Sequence, residues 1–252
     1  MRARNSRSPS SRDTPAFNFK FLNMLNNFLG KRLLFLVAHP DDESFAAAGT
    51  IYKNRKAGGE NAIVCVTRGG RGKSHLAKPH TARELKAIRT RELRNAARFL
   101  GVRHLHILDF PDGKVAGNKS KVYKKFLNIA RRFGPDFIFG FGPDGISGHL
   151  DHIAAGSVAE KAAKKLGVPF VAFAASPRLV KNFHHLKKRR KFGVYSRSIR
   201  HAAHDLKIAV DPGIKLKTLR FHVSQIGDPR RFTRENRGIA KNFLRYEYFR
   251  LR

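Results

Sequence analysis

One cysteine, two methionines and no tryptophan occur in 252 residues. The single thiol, Cys65 in the apolar run AIVCVT, excludes an internal disulfide framework and reads as a plain buried thiol. It also excludes a structural zinc site of the multi-cysteine kind. No run approaches about 18 uninterrupted apolar residues, so the chain offers no candidate transmembrane helix. The N-terminus has no apolar signal core, which points to the cytoplasm. Acidic residues are scarce, 18 against 52 Lys plus Arg, for a formal charge of +34. Such a field attracts nucleic acid, an anionic membrane surface or an anionic substrate. A general bias of the source toward basic proteins explains it equally well, because charge speaks to association and not to fold.

What is present is a regular alternation. Residues 1–14 are basic, Ser-rich and without apolar periodicity, and are expected to be a disordered tail. Residues 15–30 predict an amphipathic helix. Pro15 opens it, Phe17, Phe21, Met24, Leu25 and Phe28 share one face, and Gly30 ends it. That face either covers a domain or lies on a membrane surface. From Lys31 to the C-terminus at 252 a single domain is expected. Apolar runs at 33–38, 62–67, 104–108, 136–141 and 169–174 alternate with helix-like segments near 43–57, 82–100, 119–133 and 151–166. The pattern predicts an α/β fold of Rossmann-like kind: an open, mostly parallel sheet with helices on both faces. Residues 177–204 contain no acid and read as a basic insertion or loop. Lys215 to Gln225 predicts one further helix, and NFLRYEYFRLR a terminal strand or helix.

Four polar clusters follow four successive strands: AHPDDE, TRGGRG, DFPDG and GPDGISGHLDH. In an open α/β sheet these turns share the carboxyl edge, where ligands bind. His39 and Asp42 stand three apart in a turn stiffened by Pro40. An imidazole, a carboxylate and a distant second imidazole make three protein ligands, the number a catalytic zinc uses while keeping a position open for water. Asp41, next to the ligand Asp42, is placed to take a proton from that water. His149, kept charged, would steady a developing oxyanion, with Asp151 orienting its ring. Each piece has a bland alternative, since Asp42 or Ser44 can merely cap a helix and most H-x-x-H pairs bind nothing. Their convergence on one edge favours a site. TRGGRG is not G-x-G-x-x-G and follows the second strand, so it is read as a tight loop that lets backbone approach a substrate.

These residues resemble the LmbE/PIG-L-like zinc N-deacetylases, over roughly Lys31 to Asp228. The resemblance rests on AHPDDE after the first strand, the glycine loop after the second and GHLDH after the fourth. IRTRELRNAARFLGV, with its R-x-x-E spacing, FPDG and FHVSQ support it. It implies removal of an acetyl group from an N-acetylglucosamine conjugate. By position it implies His39, Asp42 and His152 as ligands of Zn2+, with Fe2+ the other fitting ion. It further implies Asp41 as general base, His149 as acid or electrostatic partner, and Arg68 and Asp112 as sugar contacts. Leu150 stands where many members have Pro, Gly70 where many have Glu, and Ser147 where some have Tyr. The competing reading is a basic nucleic-acid- or anionic-surface-binding protein that keeps a vestigial deacetylase fold.

Overall fold

The computed structural model describes residues 28–176, 204–227 and 242–252. Its elements in chain order are β1 (Arg32–Val37), α1 (Asp42–Ala46), α2 (Ala48–Lys56), β2 (Glu60–Thr67), α3 (Ala82–Leu100) and β3 (His104–Phe110). α4 (Lys119–Phe133), β4 (Phe137–Phe141), α5 (Gly145–Gly148), α6 (Leu150–Leu166) and β5 (Phe170–Ala174) follow. β6 (Leu206–Ala209), α7 (Pro212–Leu219), α8 (Val223–Ile226) and β7 (Tyr246–Leu251) complete it.

The strands form one sheet in the order β3-β2-β1-β4-β5-β7-β6. β3 to β5 run parallel, while β7 pairs antiparallel with both β5 and β6. Consecutive strand residues point to opposite faces, so the unbroken burial of Leu33–Val37 and of Phe137–Phe141 means both faces are covered. α4 and α6 pack on each other, α6 lying on β1, β4 and β5; α2, α3 and α7 form a second packed group. The Rossmann-like expectation holds, with an antiparallel pair added at one edge. β3 is the other edge and is only partly buried, which the apolar reading of 104–108 did not anticipate.

The helix bounds follow from local chemistry. Thr81 and Glu84 form a reciprocal capping box at the start of α3, and Gly101 ends it in the left-handed conformation. α3 buries Leu85, Leu93, Ala96 and Leu100 at helical spacing, and on the same stripe Arg89 and Glu92. Charged residues on a buried stripe need partners. Gly156 lets α6 lie against β4: a Cβ there would stand 2.1 Å from the Phe141 carbonyl oxygen.

The segment expected as one helix from Lys215 to Gln225 is two, α7 and α8, separated at Arg220–His222. The terminal segment is a strand, β7, and it carries Glu247 to the start of α2. There its carboxylate accepts the Gly49 and Thr50 N–H groups at 2.9 and 2.8 Å and pairs with Lys215 Nζ at 3.1 Å. Of the predicted amphipathic face over 15–30 only Phe28 falls within the described residues; it is in the core, edge-on to Phe137 and Phe139. The predicted tail 1–14 and all of the basic 177–204 segment except His204 lie outside the described residues. Among the described residues no helix is long and apolar enough to cross a membrane.

Candidate metal centre

β1 has β2 on one side and β4 on the other, so the strand order reverses between β1 and β4. A crevice opens at the carboxyl ends of strands on either side of such a reversal. The turn after β1 carries His39 to Asp42, and the turn after β4 leads into α6 with His149, Asp151 and His152.

His39 Nε2 lies 3.2 Å from Asp112 Oδ1 and 3.3 Å from Asp151 Oδ2. Two carboxylate acceptors at Nε2 place a hydrogen there and leave Nδ1 as the inward-facing lone pair. His152 Nδ1 is 3.0 Å from the Gly145 carbonyl oxygen, so it donates, and Nε2 is the free lone pair. The His152 ring is stacked on Phe141 with centroids 3.9 Å apart. The two lone-pair nitrogens, His39 Nδ1 and His152 Nε2, are 3.2 Å apart. Asp42 Oδ2 accepts the Ala38 and His39 N–H groups at 3.0 and 2.8 Å, and Oδ1 stands 3.3 Å from His152 Nε2. One donor atom from each of His39, Asp42 and His152 thus lies within 4.8 Å of the others.

Two lone pairs aimed at each other beside a carboxylate repel unless a cation stands between them. In the metal-free protein a proton takes that place. Burial opposes a charge on His39, but Asp112, Asp151 and Asp42 outweigh it and raise its pKa to about 10. Asp42, despite burial, is held well below the usual carboxylate range by His152 and His39. The donor set and its charge therefore fit a divalent cation such as zinc, with Asp112 and Asp151 orienting His39 from behind.

Asp151 departs from expectation. Its buried carboxylate accepts the Gly113 and Val115 N–H groups at 2.6 and 3.0 Å and faces His39, while its contact with His149 runs from its own backbone N–H to His149 Nδ1 at 3.1 Å. That bond leaves the hydrogen of the neutral His149 ring on Nε2. Burial first, then His39 and His152, push the His149 pKa down to about 4, so the expected fixed charge is replaced by a neutral donor near pH 7. Asp112 also turns to His39, and it accepts the Arg71 N–H at 2.8 Å. Burial works against its charge, but these contacts hold its pKa at about 2. Arg68 stays at the rim, 3.8 Å from Asp109.

Asp41 adopts φ 113° and ψ −27°, a left-handed conformation that costs a non-glycine residue about 1–3 kcal/mol. Arg89 holds it there. One guanidinium nitrogen, Nη2, donates to the Pro40 carbonyl at 2.6 Å and to Asp41 Oδ2 at 3.2 Å, while Nη1 donates to the Gly69 carbonyl at 2.9 Å. The glycine loop after β2 thus makes room for Arg89: Gly69 has φ +64°, and a Cβ would stand 2.3 Å from Nη1. Burial raises the Asp41 pKa to about 6, with Arg89 pulling the other way. Arg89 and Glu92 are the R-x-x-E pair of the sequence; their contacts to the Asp41 turn and to Ser224 were not legible there, although two charges on an apolar helix stripe signal buried partners.

An open α/β sheet with a His/Asp/His group at its carboxyl edge, fit for a cation, defines a class of α/β proteins, and comparison narrows it. Residues 34–163 match the PIG-L family, GlcNAc-PI de-N-acetylase, and the chain belongs to that family. The 1D-myo-inositol 2-acetamido-2-deoxy-alpha-D-glucopyranoside deacetylase of Corynebacterium diphtheriae is 26% identical over 175 residues, 61% of this chain and 59% of that protein. The chain spans about half to three-fifths of the length of the curated relatives it matches, as for the diacetylchitobiose deacetylase of Thermococcus kodakarensis, 30% identical over 58% of this chain and 51% of that protein. Among solved structures, N,N'-diacetylchitobiose deacetylase from Pyrococcus horikoshii superposes with a TM-score of 0.61 at 24% identity, covering 95% of this chain and 94% of that one. At that identity the likeness concerns the fold.

Proposed function

We propose that this chain is a metal-dependent N-deacetylase that removes the acetyl group from an N-acetylglucosamine conjugate. The observation that carries the reading is the pair of inward lone pairs, His39 Nδ1 and His152 Nε2, facing each other across 3.2 Å beside Asp42. Family membership and the deacetylase relatives supply the substrate class. His39, Asp42 and His152 would hold Zn2+, or Fe2+ in its place. Such an ion polarises an acetamide carbonyl and activates water for attack.

The chain's own groups do the rest. Asp41 is the general base. Arg89 occupies Oδ2, so the proton is taken on Oδ1 and passed to the leaving amine. His149, neutral with its hydrogen on Nε2, donates to the developing oxyanion. Asp151 and Asp112 fix the His39 ring, a positioning role in place of the sugar contact expected of Asp112. Arg68 at the rim contacts the conjugate, and the basic surface favours an anionic one. The test is deacetylation of a panel of neutral and anionic N-acetylglucosamine conjugates by zinc-loaded protein, with Asp41→Ala as control. Amine release by the wild type and not by the variant is the expected result; equal release by both would overturn the assignment of Asp41.

A further inference from the structure

Against the Asp41 turn lies a fully buried polar cluster that the deacetylase reading does not use. Glu43, Ser44 and His222 each have no exposed surface. Glu43 divides its two oxygens. Oε2 accepts the N–H of Asp41 at 3.1 Å, and Oε1 accepts Ser44 Oγ at 2.5 Å and lies 2.7 Å from His222 Nε2. His222 Nε2 is also 3.1 Å from Ser44 Oγ. The other ring nitrogen, Nδ1, is buried and has no hydrogen-bond partner among the described residues. A hydrogen must therefore sit on Nε2 to serve Glu43, and the imidazole has one job, which is to fix that carboxylate.

His222 is itself fixed. It lies between α7 and α8, and the next residues are tethered to α3, where Glu92 accepts the Ser224 N–H at 2.8 Å and Ser224 Oγ at 2.6 Å. Glu92 is one helical turn from Arg89, which grips Pro40 and Asp41 from the other side. One turn of α3 thus anchors both halves of a clamp. Arg89 holds the side chain and preceding carbonyl of the Asp41 turn, and Glu92 holds the segment whose imidazole sets Glu43 on the Asp41 N–H. The clamp closes on a residue at φ 113°, a conformation that its own preference does not maintain.

We propose that His222, acting through Glu43, is a positioning residue that holds the backbone of Asp41 in its left-handed conformation and so aims the base. The kinetic part rests on the deacetylase reading; the structural part does not. His222→Leu removes the donor, and His222→Gln restores an amide donor near the Nε2 position. The first measurement is amide hydrogen exchange on the metal-free proteins. In His222→Leu the Asp41 amide should exchange at least tenfold faster while β1 and β4 amides keep wild-type rates, and His222→Gln should recover most of the protection. Unchanged exchange at Asp41 overturns the proposal.

If His222→Leu loses protection throughout, Glu43→Asp decides, since it leaves His222 in place and draws the carboxylate back from the Asp41 N–H. Selective acceleration at Asp41 supports the clamp, and wild-type exchange there refutes it. The second measurement is kinetic. kcat should fall tenfold or more in His222→Leu, with KM and bound zinc within twofold of wild type and recovery in His222→Gln. In an Asp41→Ala background the same substitution should cost nothing further. A loss of zinc with kcat would make the cluster a support of the metal site and reject the proposed role. Selective exchange at Asp41 in a protein that deacetylates nothing would sink the deacetylase reading and leave the clamp standing.

Discussion

The carboxyl crevice and a groove at the amino end of β3 differ in the sign of the charges that line them. At the carboxyl edge Asp42, Asp112 and Asp151 crowd around His39 and His152, and Asp41 and Glu43 flank Asp42 in the same turn, in a chain with only 18 acidic residues. At the amino end of β3 a groove of about 390 Å³ is lined by Arg55, Arg94, Arg98 and Arg103, and no acidic residue lines it. Arg55 and Arg98 lie in the last turns of α2 and α3, where a cation complements the helix dipole, so their placement has a local cause. Among the described residues the arginine groove is thus separate from the crevice, which gathers carboxylates in a chain whose formal charge is +34. Net charge is a sum over residues; a site is set by which of them are brought together in low dielectric.

The largest effect expected at the carboxyl edge is loss of the cation. His152→Ala should abolish stoichiometric zinc binding, measured by metal analysis after dialysis, and activity should go with it. A variant that keeps one zinc per chain would move the centre elsewhere. Next, Asp41→Ala should keep its zinc yet lose about 10²–10⁴-fold in kcat, the range a positioned base contributes.

A smaller effect is the pH dependence of the metal-free protein. The folded pKa of His39 is raised to about 10, so the stability it contributes is complete below its unfolded value and is lost as pH rises toward 10. The melting temperature of the metal-free protein should thus fall between pH 7 and 10, by about 2–4 °C for each kcal/mol lost. Zinc, which replaces the proton on Nδ1, should flatten that slope, and so should His39→Gln; a slope that persists in His39→Gln would assign it to another group. At the amino edge, Arg94→Ser with Arg98→Ser should leave kcat/KM within about twofold and cost less than about 0.5 kcal/mol per site, as exposed substitutions do. A large drop in kcat/KM would show that the arginine edge takes part in catalysis.

The alternation of apolar runs and amphipathic stretches located β1, β2, β4, β5 and the helices between them, because buried parallel strands are continuous in hydrophobicity and helices carry a 3.6-residue period. Asp41, Asp42 and His39 were legible for a related reason: they are neighbours in one turn, so their proximity needs no fold. The partners of His39 were not. Asp112, in a loop, and Asp151, in the first turn of α6, reach it from 73 and 112 positions away, and sequence spacing alone suggested His149 for Asp151. The break between α7 and α8 was missed because Lys215 to Gln225 keeps helix-compatible residues throughout, whereas the chain turns at Arg220–His222 and places His222 against Glu43.

By itself the sequence determined the layering of the fold, the carboxyl-edge placement of the polar turns and the closeness of His39, Asp41 and Asp42, all of which follow from residues near one another in the chain. The tertiary structure alone decided that Asp151 and Asp112 face His39, that His149 Nδ1 accepts the Asp151 N–H, that Glu247 closes the start of α2, that Arg89 holds the Asp41 turn and that His222 meets Glu43. The reason is physical. Tautomer, pKa and strained backbone are set by the few ångströms around a buried group, and those neighbours come from segments that meet only when the sheet is assembled.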